Sequence, residues 1–450
     1  NLKYQIYEGP RYIINDIEMT TNLTNVDLLD FKKELIISKG EFFNEKKLTE
    51  SIENIERLGN KKGLPFLEVV ANYNKDKSNS LINIKVKIIK GPQLFVEKIN
   101  IRGNDQTLDK VIRREFSLNE GDLFDAEKLK KTEEKIKSLG YFEIVNISIS
   151  EGSNNQNLIV NVEVKETSTG SLSFGAGYST DTNLTGSLSV SENNFLGKGQ
   201  KFKLQFLISE NTKSLNFNFK DPSFLNKDLS AGINLDFIYQ DPNESTYTQN
   251  SISFSPTFGF QIAADSRINL SYKLEELEII SDTSSSEILQ NDDGKYLDSS
   301  LSLSLIYDKR NSIVKPTRGY IFKLNSSFLG LGGDTSYIKN SLKTKFYKGL
   351  LNDNLIFSAE LEGGLLNMTN GYSRISDRFK LGGRNFRGFR FGEIGPRDIS
   401  GDALGGQKYF VGRLETNFPL GLPEELGIYG GFFSEIGSLW DVDEPDNLSS

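Results

Sequence analysis

The stretch SLSLSLIY (300–307) places Leu301, Leu303 and Leu305 on one parity and Ser300, Ser302 and Ser304 on the other. Side chains alternate faces along a strand, so such a run carries an apolar row on one side and hydroxyls on the other. The same pattern recurs in LSFGAGY (172–178), KLQFLI (203–208), LNFNFK (215–220) and SISFS (251–255). About thirteen strands of this kind fit between Gly170 and Trp440, separated by turn-rich pieces such as NNFLGKGQ (193–200), QDPNES (240–245) and GLGGDT (330–335). A water-soluble sandwich gives the same alternation, but three features favour a closed membrane barrel. Most segments are about ten residues long, the length a tilted strand needs to cross a bilayer. Short and long connections alternate, with 281–300 and 367–407 the longest. Lipid offers no water to an unpaired strand edge, which forces closure.

Composition narrows the function classes. The chain has 450 residues, a net charge of -8, and neither Cys nor His. Mean hydropathy is -0.40, and no stretch approaches the roughly twenty apolar residues of a transmembrane helix. That excludes a helical span and leaves a barrel open, since half of a barrel's residues face water. The acidic balance speaks against nucleic-acid binding. Lack of Cys and His removes thiolate nucleophiles, the commonest general base and most zinc sites. GLGG (330–333) lacks the GK[ST] of a phosphate loop and reads as a hairpin turn. Asp292 and Asp293 lack the further spaced oxygen ligands of a calcium loop and read as a solvated loop tip. No carboxylate pair is singled out by spacing, so the chain reads as a non-enzyme without cofactor or metal. It begins at Asn1 without a leader, as a mature or partial sequence does.

The first 166 residues hold an internal repeat. GPRYIINDIEMTTN (9–22) lies on GPQLFVEKINIRGN (91–104), and FFNEKKLTESIENIERLG (42–59) lies on LFDAEKLKKTEEKIKSLG (123–140). Leu48, Ile52, Ile55 and Leu58 share one helical face, as do Leu129, Ile136 and Leu139. Each unit reads strand, helix, helix, strand, strand. The closing strands INIKVKI (82–88) and LIVNVEV (158–164) are expected to leave exposed edges.

These units, with VEKINIRGN (96–104) opening the second and SLGYF (138–142) after its second helix, resemble polypeptide-transport-associated (POTRA) domains. Followed by strands, they make the chain similar to the BamA family of outer-membrane protein assembly factors. Three further motifs carry that resemblance: ENNFLGKGQ (192–200), YDKRNSIVKPTRGY (307–320) and GGRNFRGFRFGEIGPRD (382–398). The last contains the RGF element of the family's sixth loop at Arg387, Gly388 and Phe389. The resemblance implies two α+β POTRA repeats (β-α-α-β-β), 1–90 and 91–166, the fourth and fifth of a longer series. An antiparallel transmembrane β-barrel, 170–450, follows them. The family barrel has sixteen strands, so about three are expected beyond this chain, and the piece is expected to be truncated at both ends.

The sixth loop also has a physical logic. Arg384, Arg387, Arg390 and Arg397 lie among Gly and Phe, too apolar to float free and too charged for lipid. Inside a narrow lumen a guanidinium needs carboxylates. In RLETNF (413–418) the lipid parity of Leu414, Thr416 and Phe418 turns Arg413, Glu415 and Asn417 inward. In FFSEIGSLWD (432–441) Ile436 and Trp440 leave Glu435, Gly437 and Asp441 on the other face. The resemblance assigns the lumen-partner role to Glu415 and Glu435. The family more often has Asp at the second position, and Val or Ile where Phe386 precedes Arg387. A solvated loop with ordinary surface ion pairs is the plainer alternative.

A barrel that folds other barrels must offer an unpaired strand as template. In the first strand, GSLSFGAGYS (170–179), Gly175 and Gly177 lie on the inward parity and weaken pairing, while Leu172, Phe174, Ala176 and Tyr178 keep a lipid face. Plain packing or bulge glycines are the alternative. In the family the first strand meets the last at a junction thought to open sideways. The resemblance thus implies an insertase in the bacterial outer membrane with periplasmic POTRA domains. Its partners would be unfolded outer-membrane β-barrel proteins, accessory lipoproteins and outer-membrane lipid, with no nucleic acid. A polypeptide translocator, TamA-like or of the two-partner secretion type, is the alternative, and a passive porin a third class.

Overall fold

The structure, a computed structural model, describes residues 10–23, 27–62, 64, 67–91, 93–179, 183–241, 247–281, 287–398, 401–423 and 427–443. Most of QDPNES, the stretch DTSSS (282–286) and the last seven residues lie outside the described residues. The chain forms two compact units: 1–105 with 112–167, and 106–111 with 168–450.

The first unit contains the two repeats. One is built from β1 (Ile13–Thr21), α1 (Leu28–Lys32), α2 (Glu45–Lys61), β2 (Leu67–Asp76) and β3 (Leu81–Lys90). The other comprises β4 (Phe95–Arg102), α3 (Asp109–Arg113), α4 (Ala126–Ser138), β5 (Phe142–Glu151) and β6 (Asn157–Glu166). The apolar face of α2 buries Leu48 and Ile55 against Ile82, Ile84, Val86 and Ile88, the alternate residues of β3. In the second repeat, Asp125 caps α4, accepting from the backbone N–H groups of Glu127 at 2.9 Å and Lys128 at 3.0 Å.

The expectation that the closing strands are edges is overturned. The sheet orders are β1-β3-β2 and β4-β6-β5, so INIKVKI and LIVNVEV run down the middle. The cause is the two-helix crossover. It returns the chain beside β2 as a hairpin, and β1 then pairs parallel with β3 on its far side. The free edges belong to β1 and β2, and to β4 and β5.

The second unit is one sheet of thirteen strands in sequence order, every neighbouring pair antiparallel. They are β7 (Gly170–Ser179), β8 (Asn183–Phe195), β9 (Gln200–Ser209), β10 (Thr212–Asp221), β11 (Leu229–Gln240), β12 (Tyr247–Ala263), β13 (Ser266–Ser281), β14 (Gly294–Asp308), β15 (Arg318–Gly333), β16 (Ser336–Leu350), β17 (Leu355–Asn370), β18 (Lys408–Pro419) and β19 (Tyr429–Trp440). A short helix, α5 (Glu287–Asn291), stands between β13 and β14. The outward parity is exposed and apolar: Phe174, Phe206, Phe237, Phe254, Leu303, Phe328, Leu361, Leu414 and Ile436. The inward parity is hydroxyl- and amide-rich, with cross-strand pairs such as Ser302–Ser327 at 2.7 Å and Asn216–Asp236 at 2.7 Å. One loop, 371–407, touches both Tyr247 of β12 and Glu435 of β19, which have six strands between them. The sheet therefore curls around that loop as a barrel wall. Among the described residues no helix is long and apolar enough to cross a membrane.

Strand length departs from the expected ten or so. The strands β7, β9 and β10 have 10 residues, but β12 to β17 have 15 to 17. Their extra turns of ladder carry buried residues beneath the loop: Leu277 and Ile279 beside Ile375, and Leu329, Tyr337 and Leu366 against Phe379.

Candidate functional site

Three glycines shape the tip of loop 371–407. Gly382 (φ +125°) packs so closely that a Cβ would stand 1.8 Å from the Arg390 carbonyl oxygen, and Gly388 (φ +89°) occupies the left-handed region. The Gly383 N–H donates to the Phe389 carbonyl at 2.7 Å, closing the tip. Phe386 is thereby pressed into a cluster with Leu381, Tyr409, Val411 and Leu439. Gly437 makes room for it, since a Cβ there would meet the Phe386 ring at 2.9 Å.

With Phe386 seated, Arg387 faces the wall. Its Nε lies 2.6 Å from Glu435 Oε1 and its Nη2 lies 2.6 Å from Glu415 Oε1. Its own backbone N–H donates to Glu435 Oε2 at 2.9 Å. Its guanidinium carbon sits 3.8 Å from the Phe433 ring centroid, a cation–π contact. Glu435 is 5% exposed, and Arg387 38%. Charge-assisted, forked hydrogen bonds of this kind are strong where water is scarce. Of the loop arginines, Arg387 is the one brought to Glu415 and Glu435. Arg384 and Arg390 are exposed, and Arg397 donates to the Gly401 carbonyl at 2.6 Å.

The clamp belongs to a wider lattice. Glu415 also pairs with Lys345 at 3.0 Å, and Lys343 pairs with Glu360 at 2.9 Å and Glu362 at 3.1 Å. Arg413 pairs with Glu360 and, at 2.8 Å, with Glu362, and donates to the Asn385 carbonyl of the loop. Within the cluster four carboxylates thus face four cations. That balance is what a poorly hydrated interior demands.

Sequence reasoning missed a second buried cluster at the base of the loop. Arg374 Nε meets Asp377 Oδ2 at 2.9 Å, and its Nη2 meets Asp298 Oδ2 at 2.5 Å, with all three side chains 5% exposed. Burial opposes its charge, but Asp377 and Asp298 more than offset this and raise its pKa. The available signal was the Arg-x-x-Asp spacing of RISDR (374–378). The reading of Asp292 and Asp293 as a solvated tip holds for the exposed Asp293 and is corrected at Asp292, which is half-buried. Asp292 accepts the Ile375 N–H at 2.8 Å and Asp293 accepts the Ser281 hydroxyl at 2.9 Å. Asp292 thus caps a half-buried backbone donor of the packed loop.

The remaining motifs are turn chemistry. In ENNFLGKGQ the Asn194 side chain accepts the Gly199 N–H at 2.7 Å. In YDKRNSIVKPTRGY the Asn311 side chain accepts the N–H groups of Thr317 and Arg318, both at 3.0 Å. GLGG ends β15 at the short turn into β16. At the first barrel strand, Phe174 is 77% exposed on the outward face. The β7–β8 register is unbroken, so neither Gly175 nor Gly177 marks a bulge. A Cβ on Gly175 would approach only the Ser187 hydroxyl, at 2.6 Å, and one on Gly177 would meet nothing within 4 Å. Among the described residues, packing does not require glycine at 177.

Comparison with known proteins agrees with this architecture. Residues 194–450 match the model of the Omp85 superfamily domain, and residues 94–167 match the POTRA model, described as a surface antigen variable number repeat. The outer membrane protein assembly factor BamA of Neorickettsia risticii is 29% identical over 98% of the chain, which spans 60% of that protein's length. The human sorting and assembly machinery component 50 homolog is 30% identical over 80% of the chain and 79% of its own length. The crystal structure of Haemophilus ducreyi BamA lacking POTRA domains 1–3 superposes with a TM-score of 0.73 at 20% identity, covering 96% of this chain and 88% of that one.

Proposed function

Since this chain belongs to the Omp85 superfamily, we propose that it works as part of an outer-membrane assembly factor that folds and inserts β-barrel proteins. The barrel, 170–450, lies in the bacterial outer membrane, and the POTRA domains, 1–90 and 91–166, lie in the periplasm. The observation that carries the reading is similarity along 98% of the chain to a protein named for outer-membrane protein assembly, combined with an arginine-clamped loop inside the wall.

On this reading the work is non-covalent. An incoming chain needs a strand edge on which to pair, and β7, at the end of the sheet with Gly175 and Gly177 on its inward parity, is the strand that offers it. The clamped loop keeps the wall in one register while that edge exchanges partners. The free edges of the POTRA sheets take extended client or lipoprotein segments through main-chain hydrogen bonds, which tolerate many sequences. Outer-membrane lipid surrounds the apolar outward face.

Depletion of the full-length protein tests the reading. Many barrel proteins should fall together in the outer membrane. Loss of a single secreted client, with barrels unchanged, would instead make the protein a TamA-like or two-partner translocator.

A further inference from the structure

Arg413 is not a member of the loop, yet it touches the loop more directly than any of the clamp carboxylates' other partners. It projects inward from β18, two residues before Glu415, and its side chain is 11% exposed. One terminal nitrogen is held by Glu360 and Glu362 of β17. The other donates to the backbone carbonyl of Asn385, two residues before Arg387. Its Nε stands 3.8 Å from the same Glu435 oxygen that Arg387 Nε holds at 2.6 Å.

We propose that Arg413 is a second, wall-borne positioning residue for the loop, clamping the Asn385 carbonyl while Arg387 clamps from the loop side. This rests on the reading of Arg387 as the loop lock. The argument is geometric. A guanidinium has donors on opposite prongs, so one prong can be fixed by carboxylates while the other reaches a carbonyl, and an ammonium has no such fork. Glu360 and Glu362 fix the side chain on the wall, so little further freedom is lost when it grips the loop. The carbonyl it takes ends the helical turn Gly383–Asn385, and such oxygens lack partners within the turn. Arg413 thus ties the loop backbone to the wall two residues before Arg387, and it brings Arg387 into register with Glu415 and Glu435.

A cysteine in place of Ala403, a loop residue 3% exposed, reports loop release by maleimide labelling in outer membranes carrying the full-length protein, with the parent lacking that cysteine as the background. Arg413→Lys keeps the charge beside Glu360 and Glu362 but loses the fork. Labelling should rise on the order of tenfold, the worth of one charged hydrogen bond, with the barrel still heat-modifiable. Arg413→Gln should label at least as fast. Labelling of the Lys variant at the parental rate overturns the proposal, as does a Lys variant that fails to fold, which would assign Arg413 to the wall alone. Arg387→Gln separates the two ideas. If it speeds labelling while Arg413→Lys does not, the second clamp is wrong and the lock stands. If neither speeds labelling, the lock reading itself falls.

Discussion

Gly437 and Phe386 fit as a notch and its filler: a Cβ on the glycine would stand 2.9 Å from the phenylalanine ring and 2.7 Å from the Phe410 carbonyl oxygen. Gly437→Ala should therefore push Phe386 out of its cluster and cost about 1–3 kcal/mol through overpacking. The temperature at which the barrel band converts to the unfolded band on a gel should drop. An unchanged conversion temperature would show that Phe386 does not depend on the notch.

Charge reversal probes the clamp. Arg387→Glu places three carboxylates together and should lose about 2–4 kcal/mol, less than a fully buried pair because Arg387 is partly exposed. Complementation by the full-length gene should fail, and adding Glu435→Arg should restore it in part. Normal growth with Arg387→Glu alone, unaffected by either Glu415→Arg or Glu435→Arg, rules the clamp out.

Arg374→Ala leaves Asp298 and Asp377 buried without their cation, at a cost of about 3–5 kcal/mol. The expected readout is faster protease cleavage within 371–407 on intact cells. Arg374→Lys should recover only part of the protection, because an ammonium cannot span both carboxylates as a fork.

Gly177→Val tests the weak strand. The added side chain enters open space, so folding is retained and β7 gains about 1 kcal/mol of strand preference. If the first strand must release its neighbours, assembly of client barrels slows in pulse-labelled cells. Wild-type assembly rates would remove the glycine from the mechanism.

The POTRA unit supplies a pH test. Burial pushes the Glu56 carboxyl above its usual range, the Val69 N–H opposing only in part. An acid whose folded-state pKa is raised destabilises the fold as pH climbs through that range, and the penalty vanishes below the unfolded pKa. Glu56→Gln should therefore raise urea resistance of this domain at pH 7 and leave it unchanged near pH 4. Equal loss of resistance at both pH values would contradict this.

Much of the fold could be read from period-two alternation, because a wall between lipid and water imposes it on every strand. It fails at ELEII (276–280), where Leu277 and Ile279 are buried under the loop while Ile280 faces outward, so both parities turn apolar and the alternation is lost. Strand order in the repeats leaves no such trace, since β3 alternates identically at an edge or in the centre. At the site, the inward parity of Glu415 and Glu435 is written in Leu414, Thr416 and Ile436. The hold of Arg413 on Asn385, and of Arg374 on Asp298, depends on the path of a 37-residue loop (371–407) that no local pattern records.

The unequal staves give the vessel an uneven rim. At ~3.3 Å per residue and a tilt near 40°, ten residues rise ~25 Å, about the apolar band alone, whereas sixteen rise ~40 Å. The strands β7, β9 and β10 are thus ~15 Å shorter than β12 to β17, whose added length packs against the loop. If client segments leave beside β7, as proposed above, the short strand there gives them less wall to pass than any of β12 to β17 would.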